Sequence, residues 1–259
     1  MSDIKLYVLA NGLFTGPKHG IISCEDKSEM ILTPMYSVLI QTPEGNILYD
    51  TALHDDPQRQ APFFLAGMEV KEEERLLNAL AGIGVAPADI RYLVQSHLHT
   101  DHTGYIEKFP NAEVIVADGE FTHTMKDYAL GVSKMGPDIA YWLTCGLKWQ
   151  LIPDTEKTVH LVDGVTIYNF GSGHSYGMLG LLVELPKSGN KLVISDTIYT
   201  HENVGPPGVM PGIVQDIAGY LQTKEYVLNL AQEKKAEIWF GHDWDQYNNF
   251  KKSYDGCYD

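Results

Sequence analysis

The chain has 259 residues, which allows one large domain or two small ones, and a 44% hydrophobic share supplies a sizeable core. Lys and Arg number 19 against 34 Asp and Glu, and the resulting net charge of −15 opposes unspecific binding to nucleic acid or to an anionic membrane. No apolar run approaches a membrane span, no signal peptide is visible at Met1–Lys5, and the scattered Cys24, Cys145 and Cys257 fit a reducing cytoplasm better than a disulfide framework.

In chain order, Lys5 to Asn11 alternates apolar and polar residues and reads as an opening strand. Tyr36–Thr42 and Asn46–Thr51 flank the turn Pro43-Glu44-Gly45 and form a hairpin. Asp50, at the end of that hairpin, reads either as a surface cap or as a carboxylate that orients a metal-bound histidine. Residues 52–70 form a long loop with Pro57, Pro62 and the pair Phe63-Phe64, which either dock the loop on the core or wall a substrate pocket. Lys71 to Gly82 places Leu76, Leu77, Leu80 and Ala81 at helical spacing and ends in glycine, an amphipathic helix.

The apolar run Ile90–Gln95 then reads as a short buried strand leading into Ser-His-Leu-His-Thr-Asp-His-Thr-Gly at 96–104. Four strong ligand types, His97, His99, Asp101 and His102, fall within six residues. In extended chain His97 and His99 share a side, because side chains alternate. Asp101 and His102 then sit in the turn before a helix starting near Thr103. A surface loop accounts for a lone histidine, not for this run. Imidazole with carboxylate suits zinc, then iron, manganese or cobalt.

Beyond the strand Glu113–Ala117, residues 119–150 are rich in aromatics and Met, with Phe121, Met125, Tyr128, Met135, Trp142 and Trp149. They read as a helical insertion on the core or as an apolar cover; together with Phe63-Phe64 they are expected to border the pocket opening. His123 has no partner at ligand spacing and reads as structural. Strands follow at His160–Val162, Val165–Phe170, Met178–Leu185 and Lys191–Ser195, joined by turns at Asp163-Gly164 and Ser188-Gly189-Asn190. His174 lies in a Gly/Ser loop, and Asp196 ends an apolar run. After a Gly/Pro-rich loop at 203–213, a helix covers Ile217 to Lys234, and a last strand Ala236–Phe240 ends in Gly241-His242-Asp243.

The set His97-x-His99-x-Asp101-His102, His174, Asp196, His242 resembles the metallo-β-lactamase superfamily over almost the whole chain. Within it the chain looks most like the N-acyl-homoserine lactone lactonases: its length fits, Tyr199 follows Asp196 by three residues, and Gly241-His242-Asp243 matches their last metal motif. The resemblance implies an α/β fold, an αββα sandwich of two mixed β-sheets flanked by helices. It implies two divalent metals: His97, His99 and His174 hold one, Asp101, His102 and His242 the other, and Asp196 bridges them together with a hydroxide. It also implies catalytic roles for Tyr199, as donor to the oxyanion, and for Asp101, as proton acceptor. The alternative for Tyr199 is packing under the 203–213 loop. The resemblance also implies a single domain over 1–259, a small lactone as partner, and a monomer or homodimer.

Three positions depart from the lactonase pattern: Thr100 stands where an aromatic is expected, Tyr105 where a second Gly is common, and the Ser175-Tyr176-Gly177 stretch lacks a second His. They bear on substrate more than on metal. A true β-lactamase usually has Cys at the place of Asp196, a tRNA-processing nuclease needs a basic surface, and a flavodiiron reductase has Glu at the place of His99. A glyoxalase II-like thioester hydrolase, a 4-pyridoxolactonase-like enzyme and a non-catalytic metal-binding module remain as other readings.

Overall fold

The computed structural model describes residues 3–56, 59, 64, 67–133 and 138–259. Strands β1 (Lys5–Pro17) and β2 (Met30–Thr42) form a long antiparallel ribbon around the one-turn helix α1 (Lys18–Ile21). Then come β3 (Gly45–Tyr49), the short β4 (Met68–Glu69), α2 (Leu76–Gly82), β5 (Ile90–Val94), α3 (Thr100–Thr103), β6 (Glu113–Ala117), α4 (Asp118–Ala129), α5 (Asp138–Thr144) and β7 (Lys148–Ile152). Strands β8 (Thr158–Val162), β9 (Val165–Gly171), β10 (Met178–Val183) and β11 (Lys191–Ser195) follow, then α6 (His201–Val204), α7 (Ile217–Lys234), β12 (Glu237–Phe240) and α8 (Trp244–Asn248).

Among the described residues the strands form two mixed sheets, ordered β4-β1-β2-β3-β5-β6-β7 and β12-β11-β10-β9-β8. The β3–β5–β6–β7 pairs and β11–β12 are parallel; the other pairs are antiparallel. Period-two alternation sends Leu6, Val8, Val38 and Ile40 from one sheet, and Ile167, Leu179, Leu181 and Val193 from the other, into one apolar layer between them. The opposite faces bury Leu48, Leu93 and Val114 under α2 and α5, and Leu182, Leu192 and Ile194 under Val227 and Leu230 of α7. The order of layers is therefore helix, sheet, sheet, helix, as expected.

Three expected elements change. The first strand runs on to Pro17, because a bulge between Ala10 and Leu13, with Gly12 at φ +100°, absorbs the break in alternation. Trp149 belongs to β7, not to a helical insertion. The helix expected near Thr103 begins at Thr100 with His99 as N-cap, so Asp101 and His102 are helical. What this topology does for the site is align the C-terminal ends of β3, β5, β9, β11 and β12 along one edge of the sandwich.

Candidate metal centre

Each of those ends carries polar residues into the edge: Asp50 after β3, Ser96 and His97 after β5, His174 after β9, Asp196 after β11 and His242 after β12. Two backbone devices set them. Asp50 and Ser195 adopt left-handed conformations, φ +62° and +48°, a strain that cores rarely tolerate away from functional sites. Gly241 lets β12 close in on Asp196; a Cβ there would lie 2.6 Å from Asp196 Oδ1.

All seven residues singled out as ligands in the sequence converge. Nε2 of His174 lies 3.2 Å from Nε2 of His97 and 3.0 Å from Nδ1 of His99. A tetrahedral ion with metal–nitrogen bonds of about 2.05 Å would separate two ligand nitrogens by roughly 3.3 Å, so this spacing fits a cation between them. Asp101, His102, Asp196 and His242 form the neighbouring group, with Asp101 Oδ2 3.4 Å from His102 Nε2 and 3.8 Å from His242 Nε2. Asp196 touches both groups: Oδ2 is 3.4 Å from His102 Nε2 and from His174 Nε2, and Oδ1 is 3.1 Å from His242 Nε2. Nε2 of His102 is buried without a hydrogen bond, a donor atom awaiting a partner.

The surrounding hydrogen bonds choose the tautomers. Asp50 Oδ1 accepts from Ser96 N at 2.7 Å, and its Oδ2 accepts from Ser96 Oγ at 2.8 Å, Ser195 Oγ at 3.1 Å and His102 Nδ1 at 2.9 Å. Having donated its proton to Asp50, the Ser96 hydroxyl accepts from His97 Nδ1 at 2.9 Å. The Pro34 carbonyl accepts from His242 Nδ1 at 2.9 Å. With Nδ1 held as a donor, Nε2 is the atom that His97, His102 and His242 turn to a cation. Asp50 is thus an orienting carboxylate and no surface cap; it is buried.

Burial drives His97 well down, with the positive ends of His102 and His99 adding to it, and it drives His174 down to about 4. These imidazoles are neutral at neutral pH. Burial also works against a charge on His102 and His242, but Asp101 and Asp196 outweigh it and hold both above the usual histidine range. Burial would raise Asp196, yet His242 and His102 keep its carboxyl well below the usual range.

Tyr199 packs against this group, its hydroxyl 3.0 Å from His174 Nδ1. Burial pushes its phenol well above the ordinary value, so it stays protonated. Tyr199, His99, Asp101, Asp196 and His242 form one end of a cavity of about 230 Å³. Its walls are Phe14, Ile21, Ile31, Met35, Phe64 and Ile213. Of the walls expected from sequence, Phe64 is present, edge-on to Phe14 at 5.0 Å, and Phe63 lies outside the described residues. Among the described residues, none of 119–150 lines this cavity, but Glu120, Thr124, Asp127 and Val132 line a neighbouring one of about 360 Å³ that shares His99 and Ile213 with it and includes His174. Trp142 is buried in the outer core beside Trp149, and it is the α5 and β7 packing that uses these aromatics. His123 is structural, stacked on Tyr176 with Nδ1 2.8 Å from the Gly119 carbonyl. The walls that sequence reading missed, on β1, α1 and β2, were signalled only by the apolar residues Phe14, Ile21, Ile31 and Met35 beyond the expected strand ends.

A family model described as the metallo-beta-lactamase superfamily matches residues 32–140. The chain is 34% identical over 267 residues to the N-acyl homoserine lactonase AiiB of Agrobacterium fabrum, across 98% of this chain and 94% of that protein. It is 30% identical over 268 residues to the N-acyl homoserine lactonase AttM of Azorhizobium caulinodans, across 100% of both. Among solved structures, an N-acyl homoserine lactone hydrolase with the product N-hexanoyl-L-homoserine bound at its catalytic metal center superposes with a TM-score of 0.82 at 26% identity, over 96% of each chain. The dizinc quorum-quenching lactonase AidC shares the fold, with a TM-score of 0.68 at 17% identity over 93% of this chain and 88% of that one.

Proposed function

The chain belongs to the metallo-β-lactamase superfamily, and from that premise we propose that it is a metal-dependent hydrolase that opens the lactone ring of N-acyl homoserine lactones, a quorum-quenching enzyme. The observation that carries this reading is the joining of an apolar cavity, walled by Phe14, Met35 and Phe64, to the His/Asp centre. An acyl chain attached to a small polar ring matches that division, since binding sites pair apolar walls with a few placed polar groups. A charged glutathione thioester does not match it.

His97, His99 and His174 would hold one divalent ion, Asp101, His102 and His242 a second, and Asp196 would contact both. The imidazole and carboxylate donors favour zinc over iron, manganese or cobalt. When bound, such ions supply Lewis acidity toward the ester carbonyl and lower the pKa of water enough to yield hydroxide near neutral pH. The protein's own part is the rest. Tyr199 presents its proton to the carbonyl oxygen as negative charge develops there. Asp101, facing the same cavity, accepts a proton and returns it to the departing ring oxygen. The apolar walls seat the acyl chain and exclude water around it.

We further read the chain, 1–259, as one catalytic domain of the cytoplasm, acting on a small molecule as monomer or homodimer. Its described cysteines are free, and no helix of the described residues is long and apolar enough to cross a membrane. The test is hydrolysis, followed by proton release, of a panel holding acyl-homoserine lactones, simple lactones, 4-pyridoxolactone, a glutathione thioester and a β-lactam. The reading expects the acyl-homoserine lactones to be turned over best; preference for the thioester or for 4-pyridoxolactone would replace it with the corresponding alternative.

A further inference from the structure

Glu120 is a buried carboxylate, 1% exposed, that none of the roles above uses. It sits in the first turn of α4, where an exposed acid would merely favour the helix dipole. Instead its side chain turns inward. Oε1 accepts from the Leu98 amide at 2.9 Å, and Oε2 accepts from Ser175 Oγ at 2.7 Å and from the Gly177 amide at 3.1 Å. Leu98 lies between His97 and His99, and Ser175 follows His174. One carboxylate therefore bonds to both loops that carry the three-histidine cluster, at positions directly adjoining all three ligands.

A second observation shows that the approach is built. A Cβ on Gly177 would lie 2.8 Å from the Ala117 Cβ and 3.1 Å from the Glu120 amide nitrogen, so only glycine lets the 174–178 loop reach the start of α4. Burying a carboxylate is costly unless its oxygens are filled, and three donors fill them here. Burial still pushes its carboxyl above the usual range, over the opposing pull of Ser175, Leu98 and Gly177.

We propose that Glu120 is a positioning residue that builds the three-histidine metal site by clamping its two loops, beside the orientation that Asp50 gives His102 directly and His97 through Ser96. The inference rests on the metal reading given above but not on the substrate. Orienting groups behind a metal ligand set typically govern affinity by 10- to 100-fold.

The test uses full-length, zinc-loaded protein and measures zinc release against EDTA, alongside the melting temperature. Glu120→Gln keeps the shape but cannot accept at all three bonds. It should release half of the zinc at EDTA concentrations about 10- to 100-fold below those for wild type, with the other half unmoved. Ser175→Ala removes one of the three bonds and should shift the same half by a smaller factor; if Glu120→Gln does not fold, this variant decides alone. Wild-type release curves, or equal weakening of both halves, would overturn the proposal, even with a lowered melting temperature, because a purely structural role predicts those results. No lactone is present in either arm, so failure here is distinct from failure of the lactonase reading.

Discussion

Replacing Tyr199 with Phe removes one hydroxyl and little else, and the geometry says what that hydroxyl does. His174 turns Nε2 toward His97 and His99, so an ion held there leaves the His174 proton on Nδ1. Two acceptors face that N–H: the Tyr199 hydroxyl at 3.0 Å and the Ile213 carbonyl at 3.3 Å. When the hydroxyl accepts, its own proton is free for the substrate carbonyl. Loss of a full oxyanion donor costs about 10²–10³ in kcat. Here cations share the developing charge, so we expect a loss of about 10- to 100-fold, or roughly 1.4–2.7 kcal/mol in the barrier. Metal content should hold, because the Ile213 carbonyl still orients His174. The assay is pH-stat kcat and kcat/KM on an acyl-homoserine lactone, with elemental analysis of the same preparation. Because burial raises the phenol, it stays a donor as pH rises, and Tyr199 itself should contribute no alkaline decline below its ordinary pKa of 10.0. Wild-type kcat in Tyr199→Phe, or loss of metal with loss of rate, would refute the reasoning.

Asp196→Asn should lose far more activity than Asp50→Asn, since Asp196 contacts both clusters and Asp50 only orients His102 and, through Ser96, His97; equal losses in parallel assays would contradict the assignment. For Asp50→Asn we expect metal affinity to fall about 10- to 100-fold. Phe64→Ala should raise KM for long-chain lactones by roughly tenfold and for short-chain ones less, whereas Trp142→Ala should leave KM alone and cost about 3–5 kcal/mol of stability by denaturant titration. Metal uptake should release protons from His102 and His242, whose folded-state pKa is raised, but not from His97 or His174. The raised pair is protonated below its folded-state pKa and must lose those protons to ligate, so affinity for the second ion falls as pH falls through that range. Calorimetry in buffers of different ionisation enthalpy reads this directly; proton-free uptake would count against it.

Much of the site was legible because the ligand-bearing stretches close short apolar runs that together read as strands, as Leu192–Ser195 before Asp196 and Glu237–Phe240 before His242. Helix α7 likewise matched its periodicity from Ile217 to Lys234. What sequence left ambiguous was settled by tertiary contacts. Asp50 is an orienting carboxylate only because Ser96, Ser195 and His102, from three other segments, point at it. Trp142 looked like a pocket wall because it is large and apolar, properties shared by core and cavity alike. Phe14 escaped notice because the β-bulge at Ala10–Leu13 interrupts the alternation that would have extended the first strand to it, and Met35 because the second strand was expected to start only at Tyr36, whereas β2 starts at Met30. Glu120 looks, in sequence, like any acid in a first helical turn; only the fold brings Leu98 and Gly177 to it.

The central claim is a metal-dependent lactonase, and the most direct measurement is pH-stat hydrolysis of an N-acyl homoserine lactone by protein as purified, after chelator treatment, and after zinc is restored, with bound metal counted in each sample. The account predicts ring opening that disappears with the metal and returns as about two ions per chain are restored, the number that seven such ligands can hold. Full activity with at most one ion per chain, or hydrolysis indifferent to chelation, would contradict it.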